Sequence, residues 1–164
     1  MMKVIPFYSN KIPEYRWMSQ FFPCEFTDID GNKFISAEQY MHYKKSVLFD
    51  DHDTGEKILN TDSPITTKQL GRQVYGFDQQ LWIQYRYVIV FTGNYLKFSS
   101  DERLKALLLS TKGKILVEAS PVDKIWGVGM SHNDPNISNP KKWKGENLLG
   151  KVLMNVRRSL IYTR

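Results

Sequence analysis

The sequence has little of the residues on which disulfide, metal and redox chemistry depend. Cys24 is the only cysteine among 164 residues, so no disulfide can form within the chain and no zinc site can be built from cysteines. The three histidines, His42, His52 and His132, are scattered without the spacing of metal ligands. We therefore predict neither a bound metal nor a cofactor.

Long apolar runs and several signature motifs are also missing. The longest apolar runs are as short as Val88-Ile89-Val90-Phe91, and the first residues contain neither the hydrophobic stretch nor the small-residue cleavage site of a secretory leader. No Gly-x-Ser-x-Gly elbow, phosphate-binding P-loop or strand-linked Gly-x-Gly-x-x-Gly is present, which argues against serine hydrolases, NTPases and Rossmann enzymes. We predict a cytoplasmic or otherwise intracellular protein that does not bind membranes.

Charge is distributed unevenly along the chain. The formal net charge is +6, but residues 1–82 hold 9 Lys/Arg against 11 Asp/Glu, and residues 83–164 hold 14 against 6. A basic C-terminal half favours partners that carry phosphate, either a nucleotide or a nucleic-acid backbone, although a solvated basic face would give the same pattern. Because the sequence contains no internal repeat or linker, we expect one domain over residues 1–164. We also expect a monomer.

Turn and capping signals divide the chain into short strands and several helices. Ile5-Pro6-Phe7-Tyr8 predicts an extended opening segment, and residues 26–35 predict a hairpin that turns at Asp30-Gly31-Asn32. A further strand is expected over Ile115-Leu116-Val117-Glu118-Ala119. Residue types that cap helix N-termini predict helices starting at Ser36, Ser63, Asp78, Asp101 and Asn147. Helices dominate, so we predict the α+β class.

Apolar periodicity predicts which helix faces are buried. The expected faces are Ala37, Tyr40, Met41, Val47 and Leu48 in the first helix; Leu81, Trp82, Tyr85, Val88, Ile89, Thr92, Tyr95 and Leu96 in the long helix; and Leu149, Val152, Leu153, Val156 and Leu160 in the last. The β-branched middle of the long helix is also compatible with a strand.

Glu38 and Lys45 belong to the first predicted helix. They are seven residues apart, which places them about 20° apart around the axis and about 10 Å apart along it. Such a pair could bracket a ribose, but a solvent-exposed Glu and Lys would show the same spacing. Periodicity places Lys44 on the apolar stripe, where it would be buried or extend to the surface, and does not decide which lysine is functional.

A loop of about 27 residues, 120–146, precedes the last helix. Loops longer than about 12–15 residues are uncommon in compact domains and often functional. Asp123 supplies a carboxylate, Trp126 a stacking face, and Gly127 a backbone that a ligand could approach closely, although a packed loop is an equally open interpretation. Asn147, just after the loop, could cap the last helix or bind a ribose hydroxyl or phosphate.

This set of residues suits cleavage of a sugar–base bond. The bond breaks through a cationic, oxocarbenium-like sugar, which needs a carboxylate near the anomeric carbon, a proton for the departing base and an aromatic face beside the ligand. The same residues could also form a module that binds a nucleotide or nucleic acid without cleaving it.

Several blocks of the sequence, taken together and in order, resemble the NADAR, or YbiA-like, family. The blocks are Phe7-Tyr8-Ser9, Met18-Ser19-Gln20-Phe21-Phe22-Pro23, Ser36-Ala37-Glu38-Gln39-Tyr40-Met41 through Lys45, Lys68-Gln69-Leu70-Gly71-Arg72, Lys97-Phe98, Leu116-Val117-Glu118-Ala119-Ser120, Asp123 to Gly129, and Trp143 to Arg157. The resemblance implies a mostly helical α+β domain that hydrolyses N-glycosidic bonds. The implied partner is an ADP-ribosyl or phosphoribosyl nucleotide, free or attached to DNA or RNA, and the implied leaving groups are guanine or a pyrimidine intermediate of riboflavin synthesis. The alternative is a module that binds ADP-ribose or nucleic acid without cleaving it.

The resemblance also implies roles for single residues. It assigns Glu38, Lys45 and Asp123 to catalysis, favours Lys45 over Lys44, and implies a Schiff base between Lys45 and the opened ribose in the ADP-ribosyl branch. The implied ligand-binding residues are Ser19, Gln20, Phe21, Arg72, Trp126, Gly127 and Asn147. In one departure, the chain reads Ser19-Gln20-Phe21 where the family usually reads Ser-Asn-Phe.

Overall fold

The computed structural model describes residues 3–162. In chain order it contains β1 (Val4–Phe7), a 3-10 turn (Pro13–Met18), β2 (Phe26–Thr27), β3 (Lys33–Phe34), α1 (Ala37–Leu48), α2 (His52–Leu59), α3 (Pro64–Arg72), α4 (Gln79–Ser100), α5 (Glu102–Ser110), β4 (Ile115–Glu118), a second 3-10 turn (Pro140–Lys142) and α6 (Leu148–Tyr162). The α+β prediction, with helices in the majority, is confirmed.

The chain forms two compact units. The part up to Ser19 joins the part from Asp101 onward in one unit, which we call the sheet unit, and Gln20–Ser100 forms the other, which we call the helical unit. The prediction of one domain over residues 1–164 stays a prediction.

A parallel strand pair organises the sheet unit. β1 pairs with β4, from Val4 opposite Ile115 to Phe7 opposite Glu118, and α6 packs against β4. The predicted strands are confirmed, and so is the buried face of α6. The core of this unit consists of Val117, Ala119, Val128, Met130 and Ile137. The long loop therefore contributes to the core, because three of these five side chains belong to it.

The helical unit is built around α1. Its neighbours are α2, α3 and α4, and the β2–β3 hairpin packs against α4 and α1. Phe34 and Tyr40 meet edge to face with ring centres 5.0 Å apart, and Phe26 completes this cluster. The hairpin and the helix starts at Ser36, Ser63 and Asp78 are confirmed.

Two predicted helix faces are wrong in part. In α1, Val47 is 43% exposed and Met41 and Leu48 are half-buried, while the polar residues Glu38, Gln39, His42 and Ser46 are buried. In α4, which is helical throughout, Tyr85 and Val88 are exposed and the buried residues are Val90, Gly93, Asn94, Lys97 and Phe98. Apolar periodicity missed this buried face because three of its five residues, Gly93, Asn94 and Lys97, do not count as apolar side chains.

Helix α2 was not predicted from the sequence. Its N-cap is Asp51, whose Oδ1 accepts the Thr54 N–H at 3.1 Å, and its core contact is Ile58, which is fully buried. With little more than one large apolar residue facing inward, the segment lacks the repeated stripe on which sequence recognition depends.

Candidate active site

The first turn of α1 holds Glu38 in a buried position. Ser36 caps the helix, since its Oγ accepts the Gln39 N–H at 3.1 Å. The Gln39 side chain does not close a capping box on Ser36, because its Oε1 accepts the Ile35 N–H at 2.9 Å. The Glu38 N–H donates to the Gln20 carbonyl at 2.9 Å, and only 7% of Glu38 is exposed. The alternative of a solvent-exposed glutamate is therefore wrong.

His42 lies one turn further along α1 and contacts the Glu38 carboxylate. Its Nε2 is 3.0 Å from Glu38 Oε1, and both residues are 7% exposed. The His42 Nδ1 is buried without a hydrogen-bond partner. A Cβ at Gly71, near the end of α3, would overlap the His42 ring, so the missing side chain makes room for the imidazole. Sequence reasoning missed His42, and the i,i+4 spacing from Glu38 is the signal that could have found it.

Lys45 is half-buried on the same helix, where it contacts α3 and two aromatic rings. Its Nζ donates to the Gly71 carbonyl at 2.7 Å and lies 4.5 Å from the centre of the Phe77 ring and 5.6 Å from that of Trp82. Burial lowers the pKa of Lys45, so more of this amine is neutral than in an exposed lysine. The neutral amine is the form that attacks a carbonyl carbon.

Lys44 is in a different environment from its neighbour. Its Nζ lies 3.0 Å from Asp28 Oδ2 in the hairpin and 5.6 Å from the centre of the Tyr40 ring. Burial alone would lower the pKa of Lys44, but the hydrogen bond to Asp28 and the neighbouring negative charges outweigh it and raise this pKa. Lys44 is thus held as a cation in a structural ion pair with Asp28.

Gln20, which stands where the family usually has Asn, is held by hydrogen bonds within the helical unit. Its Oε1 accepts from Asn94 Nδ2 at 2.8 Å, while its backbone carbonyl accepts from Glu38. Asn94 is fully buried, also donates to the Val90 carbonyl at 2.9 Å, and has no partner for its Oδ1. The longer amide at position 20 therefore connects the segment before β2 with the polar face of α4.

Three other predicted ligand-binding residues, Phe21, Arg72 and Ser19, differ in how exposed their side chains are. Phe21 is 38% exposed, with the Lys68 ammonium 5.6 Å from its ring centre. Arg72 is exposed and is the last residue of α3. Ser19 is 6% exposed and ends the first segment of the sheet unit. Exposure therefore leaves Phe21 and Arg72 accessible to a ligand, whereas Ser19 is covered.

Asp123 organises the start of the long loop in the sheet unit. Its Oδ1 accepts the N–H groups of Ile125 and Trp126, both at 2.8 Å, and its carbonyl accepts the Gly129 N–H at 3.0 Å. Such a side chain fixes a turn by binding the backbone that follows it. Trp126 is half-buried directly after this turn. Asp123 therefore has a structural role whatever else it does.

The close approach predicted at Gly127 is made by the protein's own backbone. A Cβ at Gly127 would lie 2.8 Å from the Asp123 carbonyl and 3.0 Å from the Glu118 carbonyl. Of the two neighbouring glycines, Gly129 has a positive φ, 64°, and Gly127 is not among the positive-φ residues. Tight packing thus explains the glycine at position 127 without a ligand.

Asn147 is a structural clamp on β4. Its Oδ1 accepts the Glu118 N–H at 3.0 Å and its Nδ2 donates to the Leu116 carbonyl at 2.9 Å, with 1% of the residue exposed. The backbone is left-handed, φ 54°, and α6 begins at the next residue. The predicted helix start is confirmed in position, but the prediction that the Asn147 side chain caps α6 is wrong, because that amide is turned toward β4.

Glu118, at the end of β4, is a titratable group that sequence reasoning left without a role. Burial raises its pKa to about 8, with a smaller contribution from the charge of Asp123. The carboxyl is therefore protonated at neutral pH and can donate a proton. No sequence signal distinguishes it from any other glutamate at a strand end.

The predicted site residues thus form two groups. The helical unit contains Gln20, Phe21, Glu38, Lys45 and Arg72, and the sheet unit contains Ser19, Asp123, Trp126, Gly127 and Asn147. Within the helical unit, Glu38 and Lys45 are both connected to Gly71. Glu38 contacts His42, whose ring packs against Gly71, and Lys45 donates to the Gly71 carbonyl. Among residues 3–162, no group of three or more His, Cys, Asp or Glu side chains is placed to hold a metal ion, and no helix is long and apolar enough to cross a membrane.

Comparison with known proteins identifies the family of this chain. The model of the NADAR domain matches residues 6–161. The chain belongs to the NADAR family. An N-glycosidase of Acanthamoeba polyphaga mimivirus is 43% identical over 143 residues, which are 85% of this chain and 84% of that protein. The chloroplastic riboflavin biosynthesis protein PYRR of Arabidopsis thaliana is 32% identical over 79% of this chain, and the match covers 19% of that protein.

The NADAR fold is also seen in a solved structure. The NMR structure of the Escherichia coli protein YbiA matches with a TM-score of 0.79 and 27% identity, over 98% of this chain and 86% of that one. The resemblance inferred from the sequence blocks is therefore confirmed, together with the mostly helical NADAR fold that it implied.

Proposed function

We propose that this NADAR protein is an N-glycosidase that cleaves the bond between a ribosyl group and a base. The observation that carries the proposal is the pair on one side of α1, a buried carboxylate at Glu38 and a half-buried amine at Lys45 whose pKa is lowered. The mimivirus relative, 43% identical, is named an N-glycosidase, which supports the same class of enzyme.

In the proposed reaction the ribosyl ring opens first: the C1–O4 bond breaks, O4 takes a proton from solvent, and C1 becomes an iminium carbon bonded to the base nitrogen. The neutral Lys45 amine then attacks C1. The C1–N bond to Lys45 forms, the C1–N bond to the base breaks, and the base leaves with a proton. Water then adds to C1 of the Schiff base, the bond to Lys45 breaks, the amine regains its proton, and the sugar closes again as the free hemiacetal. Glu38 stabilises positive charge on the sugar and accepts the proton of the attacking water.

The substrate class we propose is an ADP-ribosyl or phosphoribosyl compound. The basic C-terminal half favours phosphate groups, and its lysines at positions 141, 142 and 151 are exposed. The ADP-ribosyl form, with guanine as the leaving base, is the first candidate. The phosphoribosyl pyrimidine intermediate of riboflavin synthesis is the second, and the similarity to a riboflavin biosynthesis protein supports it.

Direct incubation distinguishes these substrates. The protein is mixed separately with ADP-ribosylated guanosine, ADP-ribosylated DNA and the phosphoribosyl pyrimidine, and the products are identified by mass spectrometry. We expect release of the free base and of ADP-ribose or ribose phosphate from one class. Tight binding without product from any of the three would contradict the proposal and favour a binding module.

A further inference from the structure

We propose that His42 is a positioning residue for Glu38. His42 donates a hydrogen bond to one carboxylate oxygen of Glu38, orients that carboxylate, and is itself held in place by Gly71. The kinetic consequence rests on the proposed N-glycosidase function. The hydrogen bond and the tautomer of the His42 imidazole do not depend on that function, so both can be tested even if no substrate is cleaved.

The direction of the hydrogen bond follows from the surroundings of the His42 ring. An ionised carboxylate is an acceptor only, so His42 Nε2, 3.0 Å from Glu38 Oε1, must carry the proton. The other ring nitrogen, Nδ1, is buried without a partner. An imidazolium would place a second N–H there with no acceptor, which is costly for a buried group. The neutral tautomer with its proton on Nε2 suits the site best.

This hydrogen bond leaves Glu38 with one oxygen for chemistry. Oε1 is bound to His42, and Oε2 remains for the sugar and the attacking water. A carboxylate fixed in this way requires less reorganisation in the transition state, and misplacement of about 1 Å can cost roughly 10²-fold in rate. His42 therefore affects turnover through Glu38 without touching the substrate.

Gly71 connects this pair to Lys45. The His42 ring occupies the space that a side chain at Gly71 would need, and the Gly71 carbonyl accepts from Lys45 Nζ at 2.7 Å. The end of α3 thus sets the position of the imidazole and of the amine together. A methyl group at position 71 would displace His42 and disturb both contacts.

The chain offers a matched control for His42. His52 Nε2 lies 2.8 Å from Asp50 Oδ1, a histidine–carboxylate contact of similar length, but the two side chains are 76% and 91% exposed. Replacing His52 should leave turnover unchanged. Exposed ion pairs of this kind contribute little to stability, and His52 lies outside the proposed catalytic residues.

The kinetic test compares His42→Leu, His42→Gln and the control His52→Gln on the substrate that the wild-type protein cleaves. His42→Leu removes the donor, and we expect kcat to fall roughly 10- to 100-fold with KM little changed. The Gln amide can still donate to Glu38, so His42→Gln should recover most of this loss, and His52→Gln should match wild type. Equal losses in both His42 variants, or no loss in His42→Leu, would overturn the proposal.

Nitrogen NMR of the imidazole provides a readout that needs no substrate. The chain has three histidines, and His42→Gln identifies the signal of His42. We expect a protonated Nε2 and an unprotonated Nδ1, and we expect Glu38→Gln to change this pattern. A proton on Nδ1 in the wild-type protein would overturn the positioning role. Absence of turnover with the expected tautomer would instead contradict the proposed N-glycosidase function while leaving the hydrogen bond established.

Discussion

Glu118→Gln should remove a pH dependence from the stability of the protein. The folded-state pKa of Glu118 is about 8, against an ordinary value of 4.5, and burial is the main cause. Between these values the unfolded chain has lost the proton and the folded protein retains it, so the free energy of unfolding falls as pH rises. The slope for one proton is about 1.4 kcal/mol per pH unit, and it ends above the folded-state pKa.

Urea denaturation between pH 5 and pH 8 measures this slope. Lys97 is fully buried with its pKa lowered to about 8, so it begins to lose its proton at the upper end of this range and there raises the free energy of unfolding. Both proteins contain Lys97, so its contribution cancels in the comparison. The free energy of unfolding of the wild-type protein should decline by about 1 kcal/mol per pH unit more than that of Glu118→Gln. Parallel profiles for the two proteins would refute the raised pKa and the protonated carboxyl at the end of β4.

Three further predictions concern the catalytic carboxylate, the Asn147 clamp and the basic surface. Glu38→Gln should lower turnover by roughly 10²-fold with little change in Tm, and near-normal turnover would exclude Glu38 from the chemistry. Asn147→Ala should lower the free energy of unfolding in urea by about 2 kcal/mol, because the buried Leu116 carbonyl and the partly buried Glu118 N–H of β4 lose their partners, and an unchanged midpoint would contradict the clamp. If the basic surface binds phosphates of a polymer, log K should fall with log salt by about 0.9 per phosphate on duplex DNA or about 0.7 on single strands; salt-independent binding would argue for a free nucleotide. The lysines concerned are Lys141, Lys142, Lys144 and Lys151.

Local signals predicted much of the secondary structure. Ser36, Ser63 and Asp101 each accept a hydrogen bond from the first turn of the helix that follows, because a short polar side chain satisfies backbone donors that the helix leaves open. The hairpin at Gly31 followed from turn chemistry in the same way. Such signals act over a few residues, so they can be recognised without knowledge of the fold.

Features that depend on distant residues could not be predicted in this way. The parallel pairing of β1 with β4 joins segments more than 100 residues apart, and the buried face of α4 includes Asn94 and Lys97, which no hydrophobic scale would place inside. Gln20 contacts Asn94 across 74 positions. The residues that these strands and side chains contact are distant in the sequence and are identified only from the folded structure.

The candidate site was predictable in its residue types but not in its contacts. The resemblance to the NADAR family singled out Glu38 and Lys45, while periodicity left Lys44 as an alternative. The structure distinguishes the two lysines through Asp28, which pairs with Lys44 from the hairpin. His42 was missed because its i,i+4 spacing from Glu38 is common on exposed helix surfaces, and the contact between the ring and the carboxylate is seen only in the structure.

Borohydride trapping during turnover tests most directly whether Lys45 is the nucleophile. Reduction converts a Schiff base between the amine and the opened ribose into a stable secondary amine, which peptide mapping then assigns to one residue. We predict the adduct on Lys45, its loss in Lys45→Arg, whose guanidinium keeps the charge but is a poor nucleophile, and its retention in Lys44→Arg. An adduct on Lys44, or cleavage of the substrate with no adduct on any lysine, would contradict the account.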